Sequence, residues 1–560
     1  MRTGVNGPMD VDKMQKKLAI WADRDPDHRF YDLYNLLYDE DWLYRAYRAV
    51  KSNSGSKTAG IDGLPMSDFE KSLQGNLERL ARSLKGETYD PKPVRRTYIP
   101  KSGGRKRPLG VPTVRDRIVQ EALRMVLEPI YEADFSQYSF GFRPGRSTMD
   151  VFQVVKMATA EKHKYFWVID ADIEGFFDNV DHQTLEQIMQ SRIKDQQIRD
   201  LVWDFLRAGV MEEGTFRHSM LGTPQGGIVS PLLANIYLNE LDQWARQFTD
   251  RSTSERAKYR RNGEGNWIYV RYADDFLLFS NGKKPEVERM EGRLRNYLDQ
   301  RLSLQLSPRK TEIVHVNDGF DFLGFHAERR KSGSGGKRTQ ITIPKEAVED
   351  LKEKVQAATS YSHHEEAIRA KILALNAMIR GWGNYYRHCW KAASRFNDLD
   401  YFIWWELWSW IAAKHDLSIK QAVSQFGDED GLPAAGDLSL VQLRSLGTEK
   451  YTGKYLKENP YLEDLPVKRE ELPDDNPWLG AEEGKAGFMD QREKALQRDE
   501  WECQNCGTAL DLENAEVHHK SPVRSSLASE ELNRLENLTS LCSSCHEEQT
   551  EHNEWQRQEP

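Results

Sequence analysis

Apolar positions between residues 12 and 90 recur at roughly helical spacing, Leu33, Leu36, Leu37, Leu43, Tyr44 and Tyr47 among them, and predict a helical N-terminal region. The run Thr58-Ala59-Gly60-Ile61-Asp62-Gly63 interrupts it as a Gly-rich turn. From 93 to 112 the pattern becomes strand, turn, strand around Lys101-Ser102-Gly103-Gly104-Arg105-Lys106-Arg107, which is a basic hairpin. A helix is expected from 114 to 132, then a turn at Arg143-Pro144-Gly145-Arg146-Ser147 leading into another helix. The apolar run 165–169 ends on Asp170-Ala171-Asp172, and a second, 267–270, ends at Asp274-Asp275 before apolar residues resume at 276–279. Two buried strands would thus deliver carboxylates at neighbouring ends. Gly and Ser between Lys331 and Lys337 mark a hinge or hairpin tip. Residues 345–415 read as helical and strongly aromatic, and 425–490, with Pro, Gly and acidic clusters, as a loosely packed connection to a cysteine-containing stretch at 491–552.

A chain of 560 residues exceeds one ordinary domain, so several are expected. It has no apolar run of about 18 residues and no charged-then-apolar leader, so a soluble cytoplasmic protein with no membrane partner is expected. The net charge of −9 disfavours a nucleic-acid partner until it is divided by position. The first 400 residues are net basic and the remainder strongly acidic, so the first part can attract phosphate while the second would resist it unless local basic faces or metal ions help. Four of the five cysteines form Cys503-x-x-Cys506 and Cys542-x-x-Cys545, a metal pattern rather than disulfides, and Cys389 reads as a buried thiol.

Phosphoryl transfer to a growing strand can be run by two divalent ions, one activating the attacking 3′-hydroxyl and the other neutralising the pyrophosphate. Such ions need carboxylate oxygens on rigid backbone. Asp172 at a strand end and Asp274-Asp275 at a hairpin turn would supply them, although an Asp-Asp pair by itself also suits an ordinary turn. The neighbouring motifs change that weighting. Asp172-Ile173-Glu174-Gly175-Phe176-Phe177-Asp178, Gly222-Thr223-Pro224-Gln225-Gly226-Gly227, Arg271-Tyr272-Ala273-Asp274-Asp275 and Leu306-Ser307-Pro308-Arg309-Lys310-Thr311 follow in that order. Together with Arg107-Pro108-Leu109-Gly110-Val111-Pro112 and Phe140-Gly141-Phe142-Arg143-Pro144-Gly145-Arg146, this stretch resembles the reverse transcriptases encoded by mobile group II introns.

The resemblance implies that Asp172, Asp274 and Asp275 ligate two Mg2+ ions. Lys101 and Arg107 would grip the incoming deoxynucleoside triphosphate, Arg as a bidentate fork and Lys as a point charge. Phe176 would exclude a 2′-hydroxyl, with core packing fitting Phe177 better. Gln225 would lie near the nascent base pair. Lys310 would protonate pyrophosphate, or serve as an ordinary surface lysine, and Asp170 and Asp178 would be structural. The helical stretch 372–411 resembles the maturase domain of the same family, which implies binding to the parent intron RNA. Most of its tryptophans fit a core. Arg380, Asn384, Arg387 and Lys391 are expected to follow one helix face and contact RNA.

The four cysteines at the C-terminal end suit tetrahedral Zn2+ replacing a core too small to hold a module of that size. A purely structural zinc ribbon accounts for them, but not for Val517-His518-His519-Lys520, Asn537 and His546. Their order resembles the HNH endonuclease module, a β-hairpin and helix holding one Mg2+ apart from the zinc. That implies His519 as general base, Asn537 orienting it, and His518 and His546 ligating the ion.

The resulting expectation is a multidomain α/β protein, a right-hand polymerase with a zinc-containing ββα module. Its parts are an N-terminal helical extension and the start of the fingers (1–90), fingers and palm (91–340), a helical thumb (341–420), a linker or DNA-binding region (421–490) and the HNH module (491–560). Its partners would be group II intron RNA, target DNA and deoxynucleoside triphosphates, with a homodimer left open. The rival readings are an RNA-binding splicing cofactor with vestigial centres and a domesticated or defence-associated reverse transcriptase.

Overall fold

The computed structural model describes residues 9–53, 55–100, 106–212, 215–217, 226–331, 336–360, 366–451, 453, 459–462, 498–499, 503–506, 515–519 and 538–542. The chain divides into two compact units, Met1–Val467 and Lys468–Pro560.

The first unit opens with helices α1 (Val11–Arg24), α2 (Tyr34–Leu37), α3 (Glu40–Ser52), α4 (Met66–Glu70) and α5 (Leu73–Lys85). The helical spacing read from the sequence is realised here: α3 buries Trp42, Leu43, Ala46, Tyr47 and Val50, and Asp39 caps its first turn. The basic hairpin forms as β1 (Val94–Pro100) and β2 (Lys106–Val111), paired antiparallel from Arg95↔Val111 to Pro100↔Lys106. Next come α6 (Val114–Glu132), α7 (Thr148–Ala158), β3 (Trp167–Asp172), α8 (Phe176–Asn179), α9 (His182–Arg192) and α10 (Gln196–Arg207). Two short strands, β4 (Val210–Glu212) and β5 (Thr215–Arg217), extend the hairpin into a sheet of order β2-β1-β4-β5.

Helices α11 (Ser230–Thr249) and α12 (Thr253–Arg261) lead to β6 (Trp267–Tyr272), β7 (Asp275–Ser280), α13 (Lys284–Leu302) and β8 (Glu312–His315). Strands β6, β7, β3 and β8, in that order, make the central antiparallel sheet. One face, with Ile169, Ala171, Phe276 and Leu278, packs into the core shared with α6, α11 and α13. The opposite face, with Val168, Leu277 and Phe279, joins a second core. Period-2 alternation thus gives the sheet two different apolar partners.

The second core is completed by β9 (Phe320–Phe322), β10 (Phe325–Lys331) and β11 (Lys337–Thr342), then α14 (Lys345–Ala358), α15 (Ile368–Tyr386), α16 (Ala392–His415) and α17 (Ile419–Phe426). Lys331 pairs with Lys337, so the Gly/Ser stretch between them joins a hairpin. The short strands β12 (Ala434–Ala435) and β13 (Leu438–Ser439) and the turn Leu443–Leu446 pack here too, with Ala422, Leu440 and Leu443 in the core. The connection expected from 421 is therefore ordered packing at its start. Residues 463–490 lie outside the described residues. In the second unit, β14 (Ala515–His519) and β15 (Leu538–Cys542) pair antiparallel. Among the described residues, no helix is long and apolar enough to cross a membrane.

One buried ion pair fixes the segment behind the end of the central sheet. Arg143 forks onto Glu132 at 2.8 Å, and its Nη1 also donates to the carbonyls of Ser136 (2.6 Å) and Ser139 (2.7 Å). Both side chains are almost wholly buried. Arg143→Ala strands the Glu132 carboxylate and should cost about 3–5 kcal/mol, whereas replacing both partners by apolar residues should cost less than either single change. A double-mutant cycle by denaturant unfolding checks this; additive losses would contradict it.

Candidate active site and nucleic-acid surfaces

The central sheet brings two carboxylates together by register. Asp172, at the end of β3, sits opposite Asp275, the first residue of β7, and Tyr272 at the end of β6 pairs with the same Asp275. Between Tyr272 and Asp275 the chain reverses through Ala273, whose φ of +56° is left-handed, a conformation that costs a non-Gly residue about 1–2 kcal/mol. Asp170 and Asp172, two apart on β3, share the face opposite Ile169 and Ala171. The strand-end carboxylates expected from sequence are therefore adjacent.

Their charges perturb one another. Burial pushes the Asp275 carboxyl up to about 7, and the charges of Asp274 and Asp172 add to the effect while Lys310 opposes it. Burial, then Asp275, Glu312 and Asp172, pushes Asp170 up to about 8. Lys310 donates from Nζ to Asp172 Oδ1 at 2.7 Å. That pair is half exposed and adds little to stability; its effect is to bring a positive charge to the carboxylates.

Among the described residues, no group of three or more His, Cys, Asp or Glu side chains is placed to hold a metal ion. The donor set still suits Mg2+, which takes one or two carboxylates and fills its remaining positions with water and phosphate oxygens. Carboxylates that suppress one another's ionisation are relieved by an added cation. Asp172 and Asp275, with Asp274 beside them, would hold such ions.

Phe176, expected beside the ribose, is 2 % exposed and packs in the core near Tyr237 with ring centroids 6.4 Å apart. Phe177 is the half-buried ring; it meets Phe142, itself half exposed, edge-on at 6.3 Å. The chain enters α8 through left-handed Gly175, and of the two rings that follow, Phe176 faces the core and Phe177 is partly exposed. Lys101 and Gln225 lie outside the described residues. Arg107 is on β2, opposite Ile99. Gly226, next to Gln225, approaches β2 so closely that a Cβ would lie 2.5 Å from the Gly110 carbonyl oxygen. A cavity of about 460 Å³ opens between the 53–58 segment and the hairpin, lined by Asn53, Thr58, Thr97, Leu109, Arg117 and Gly226.

Of the residues expected to contact RNA, Arg380 and Asn384 are exposed on α15. Arg387 caps that helix and pairs with Glu449 at 3.0 Å. Lys391 departs from the shared face: it lies beyond α15, in a left-handed conformation before α16, its Nζ 4.4 Å from the Trp390 ring centre. Trp408 and Trp410 are core, as expected, whereas Tyr401 and Trp405, one turn apart on α16, are exposed. The Cys389 thiol is buried and pushed up to about 12 by that burial.

The sequence reading passed over α12. No residue of this helix is buried, its one acidic residue, Glu255, closes a capping box with Ser252, and Lys258, Arg260 and Arg261 crowd its last turn. Burial, then the charges of Lys162 and Arg256, hold the His163 imidazole below its ordinary value, which brings the 162–164 turn into the same positive field. A helix polar on every side was the available signal.

In the second unit, Cys503 is buried and Cys506 exposed. His518 and His519 are consecutive on β14, with His519 opposite Leu538 and Ala515 opposite Cys542. Asn537, Cys545 and His546 lie outside the described residues.

Comparison with known proteins gives these sites a family. Residues 99–327 match reverse transcriptase (RNA-dependent DNA polymerase), residues 348–425 the group II intron maturase-specific domain, and residues 503–553 HNH endonuclease. Protein YkfC of Escherichia coli K12 is 40% identical over 60% of this chain and 93% of its own. The group II intron-encoded protein LtrA of Lactococcus lactis is 34% identical over 72% of this chain and 78% of its own. An uncharacterized 91 kDa protein in the cob intron of Schizosaccharomyces pombe is 30% identical over 70% of this chain and 55% of its own. With all three domains matched in order and LtrA related over most of both lengths, the chain belongs to the group II intron-encoded proteins, with reverse transcriptase, maturase and HNH endonuclease domains.

Proposed function

We propose that the carboxylate centre of Asp172, Asp274 and Asp275 copies intron RNA into DNA with two Mg2+ ions, and that the HNH domain supplies its primer by nicking target DNA. The observation that carries this is the register of Asp172 opposite Asp275 at a turn closed by Asp274. When bound, the ions supply activation of a 3′-hydroxyl and charge neutralisation at the leaving pyrophosphate. The chain's own groups orient the substrates. Lys310, already on Asp172, is within reach of a phosphate at the same carboxylates and would pass a proton to pyrophosphate. Phe177 takes the role first assigned to Phe176: its ring, beside Phe142, would close against the ribose and reject a 2′-hydroxyl.

In this reading the β1/β2 hairpin is part of the fingers, with Lys101 and Arg107 gripping the triphosphate and Gln225 beside the nascent pair. The central sheet is the palm and α14 to α17 the thumb. Intron RNA would lie on Arg380, Asn384 and Lys391, with Arg387 reaching it after release from Glu449. The cations of α12 give a further phosphate-binding surface. It lies by the first residues of β3 and β6, strands of six residues each, about 20 Å from their catalytic ends. Such a surface anchors RNA without crowding the primer end.

In the HNH domain, Cys503, Cys506, Cys542 and Cys545 would hold structural Zn2+. His519 would act as general base oriented by Asn537, with His518 and His546 on one Mg2+. Sharing a chain lets the 3′-hydroxyl released by the nick prime the polymerase.

The two centres separate by mutation. Asp274→Asn should abolish primer extension on RNA in Mg2+ while leaving nicking of target DNA by the intron RNA complex, and His519→Ala should do the reverse. Extension undiminished in the first variant refutes the polymerase assignment, and equal loss of both activities in the second refutes separate sites.

The pH response follows from Asp275. Below about 7 its carboxyl binds a proton that an incoming ion must expel, so half-saturating Mg2+ for extension should be about tenfold higher at pH 6 than at pH 8. In the metal-free protein the same group is harder to ionise folded than unfolded. Its stabilising contribution is full below the ordinary value of 3.8 and lost as pH rises through about 7. Melting of metal-free protein should therefore fall across that window. Mg2+ dependence that is flat with pH would remove Asp275 from the ligand set.

A further inference from the structure

Behind the catalytic turn lies a buried polar assembly that packing does not require. Arg271 is wholly buried on the helix-backed face of β6, whereas its neighbour Tyr272 turns toward the carboxylates. Its guanidinium forks onto Asp242 of α11, Nε to Oδ1 at 2.8 Å and Nη2 to Oδ2 at 2.6 Å. Tyr269 donates to the same carboxylate at 2.8 Å, so Asp242, also wholly buried, accepts three hydrogen bonds. The remaining nitrogen, Nη1, reaches forward to the carbonyl of Ala273 at 2.9 Å and sideways to Asn235 Oδ1 at 2.9 Å. Asn235 then donates from Nδ2 to the Gly141 carbonyl at 2.8 Å.

Gly141 backs the turn directly. A Cβ there would lie 2.2 Å from the Ala273 nitrogen, so only glycine lets this segment approach. The segment is also laced to β6 through Phe140 N to Arg271 O and Arg271 N to Tyr138 O, both 2.9 Å. The left-handed peptide just before Asp274 is therefore gripped from α11, from β6 and from the 138–141 segment, and all three grips meet at Arg271.

We propose that Arg271, held by Asp242 and Asn235, is a positioning residue for catalysis: by fixing the Ala273 carbonyl it holds the turn that aims Asp274 and Asp275 at their ions. The proposal rests on the reading of those aspartates as the ion-binding centre. A neutral apolar residue would fill the space and spare the cost of burying a charge. Only a planar fork spans carboxylate, amide and turn carbonyl at once, which lysine cannot do. Asn235 completes the geometry without bearing charge, so its removal loosens the turn while leaving the Arg271–Asp242 pair.

The test uses the full chain on an RNA template with a DNA primer, comparing Asn235→Ala and Arg271→Lys with the parent and with Asp274→Asn. A positioning role predicts that both lose about tenfold to a hundredfold in kcat. They should also need several-fold more Mg2+ for half-maximal rate, while KM for primer-template stays within about twofold. Lowered melting temperature with unchanged Mg2+ dependence and unchanged kcat per folded molecule would overturn the proposal, because a merely structural residue acts that way. If Arg271→Lys does not fold, Asn235→Ala decides alone. Extension retained in Asp274→Asn would instead overturn the catalytic reading on which the inference stands.

Discussion

Like charges gathered at the end of a buried sheet must be offset, and the rest of this protein is arranged around that requirement. Asp170, Asp172 and Asp275 occupy facing or alternate positions on two paired strands, and Asp274 lies in the turn between β6 and β7. Burial and mutual repulsion drive protons onto Asp170 and Asp275. Lys310 supplies one compensating charge from a separate segment. Divalent ions would supply the rest, and the same repulsion that disfavours the empty site strengthens its hold on them.

A site under electrostatic stress needs a stiff support, and the two-faced sheet provides it. On the face away from the carboxylates, β6 is tied to α11 by Arg271 and Asp242, and the 138–141 segment is pinned by Arg143 and Glu132. These buried pairs differ from the surface pairs elsewhere on the chain, since removing one partner strands a charge in the core. The face that carries the aspartates continues into the second core, built with β9 to β11 and α14 to α17, so the C-terminal helices rest on the same strands that bear the chemistry.

Much of this was legible in the residues because local rules and global packing agree there. The bounds of α6 follow from apolar spacing and the Thr113 cap, and the hairpin from two strand patterns around a Gly-Gly tip. The carboxylates were legible because two apolar runs end on them. Which of Phe176 and Phe177 turns into the core is set at left-handed Gly175, which no periodicity announces. Lys391 was set on α15 by counting in helical steps through a break at Arg387. The roles of Arg271 and Asp242 depend on a contact between residues 29 apart in sequence, and α12 hid its meaning in being polar throughout. The ordered packing of Leu440 and Leu443 was masked by the acidic, Pro-rich composition around them.

The account's central claim is that the register of β3 and β7 gathers aspartates to hold divalent ions. The most direct test is anomalous diffraction from a complex of the protein with primer, RNA template, an incoming nucleotide and Mn2+. The claim predicts peaks about 2.0–2.3 Å from oxygens of Asp172 and of Asp274 or Asp275, with Lys310 moved from Asp172 toward phosphate. Mn2+ bound elsewhere, with Lys310 still on Asp172, would contradict it.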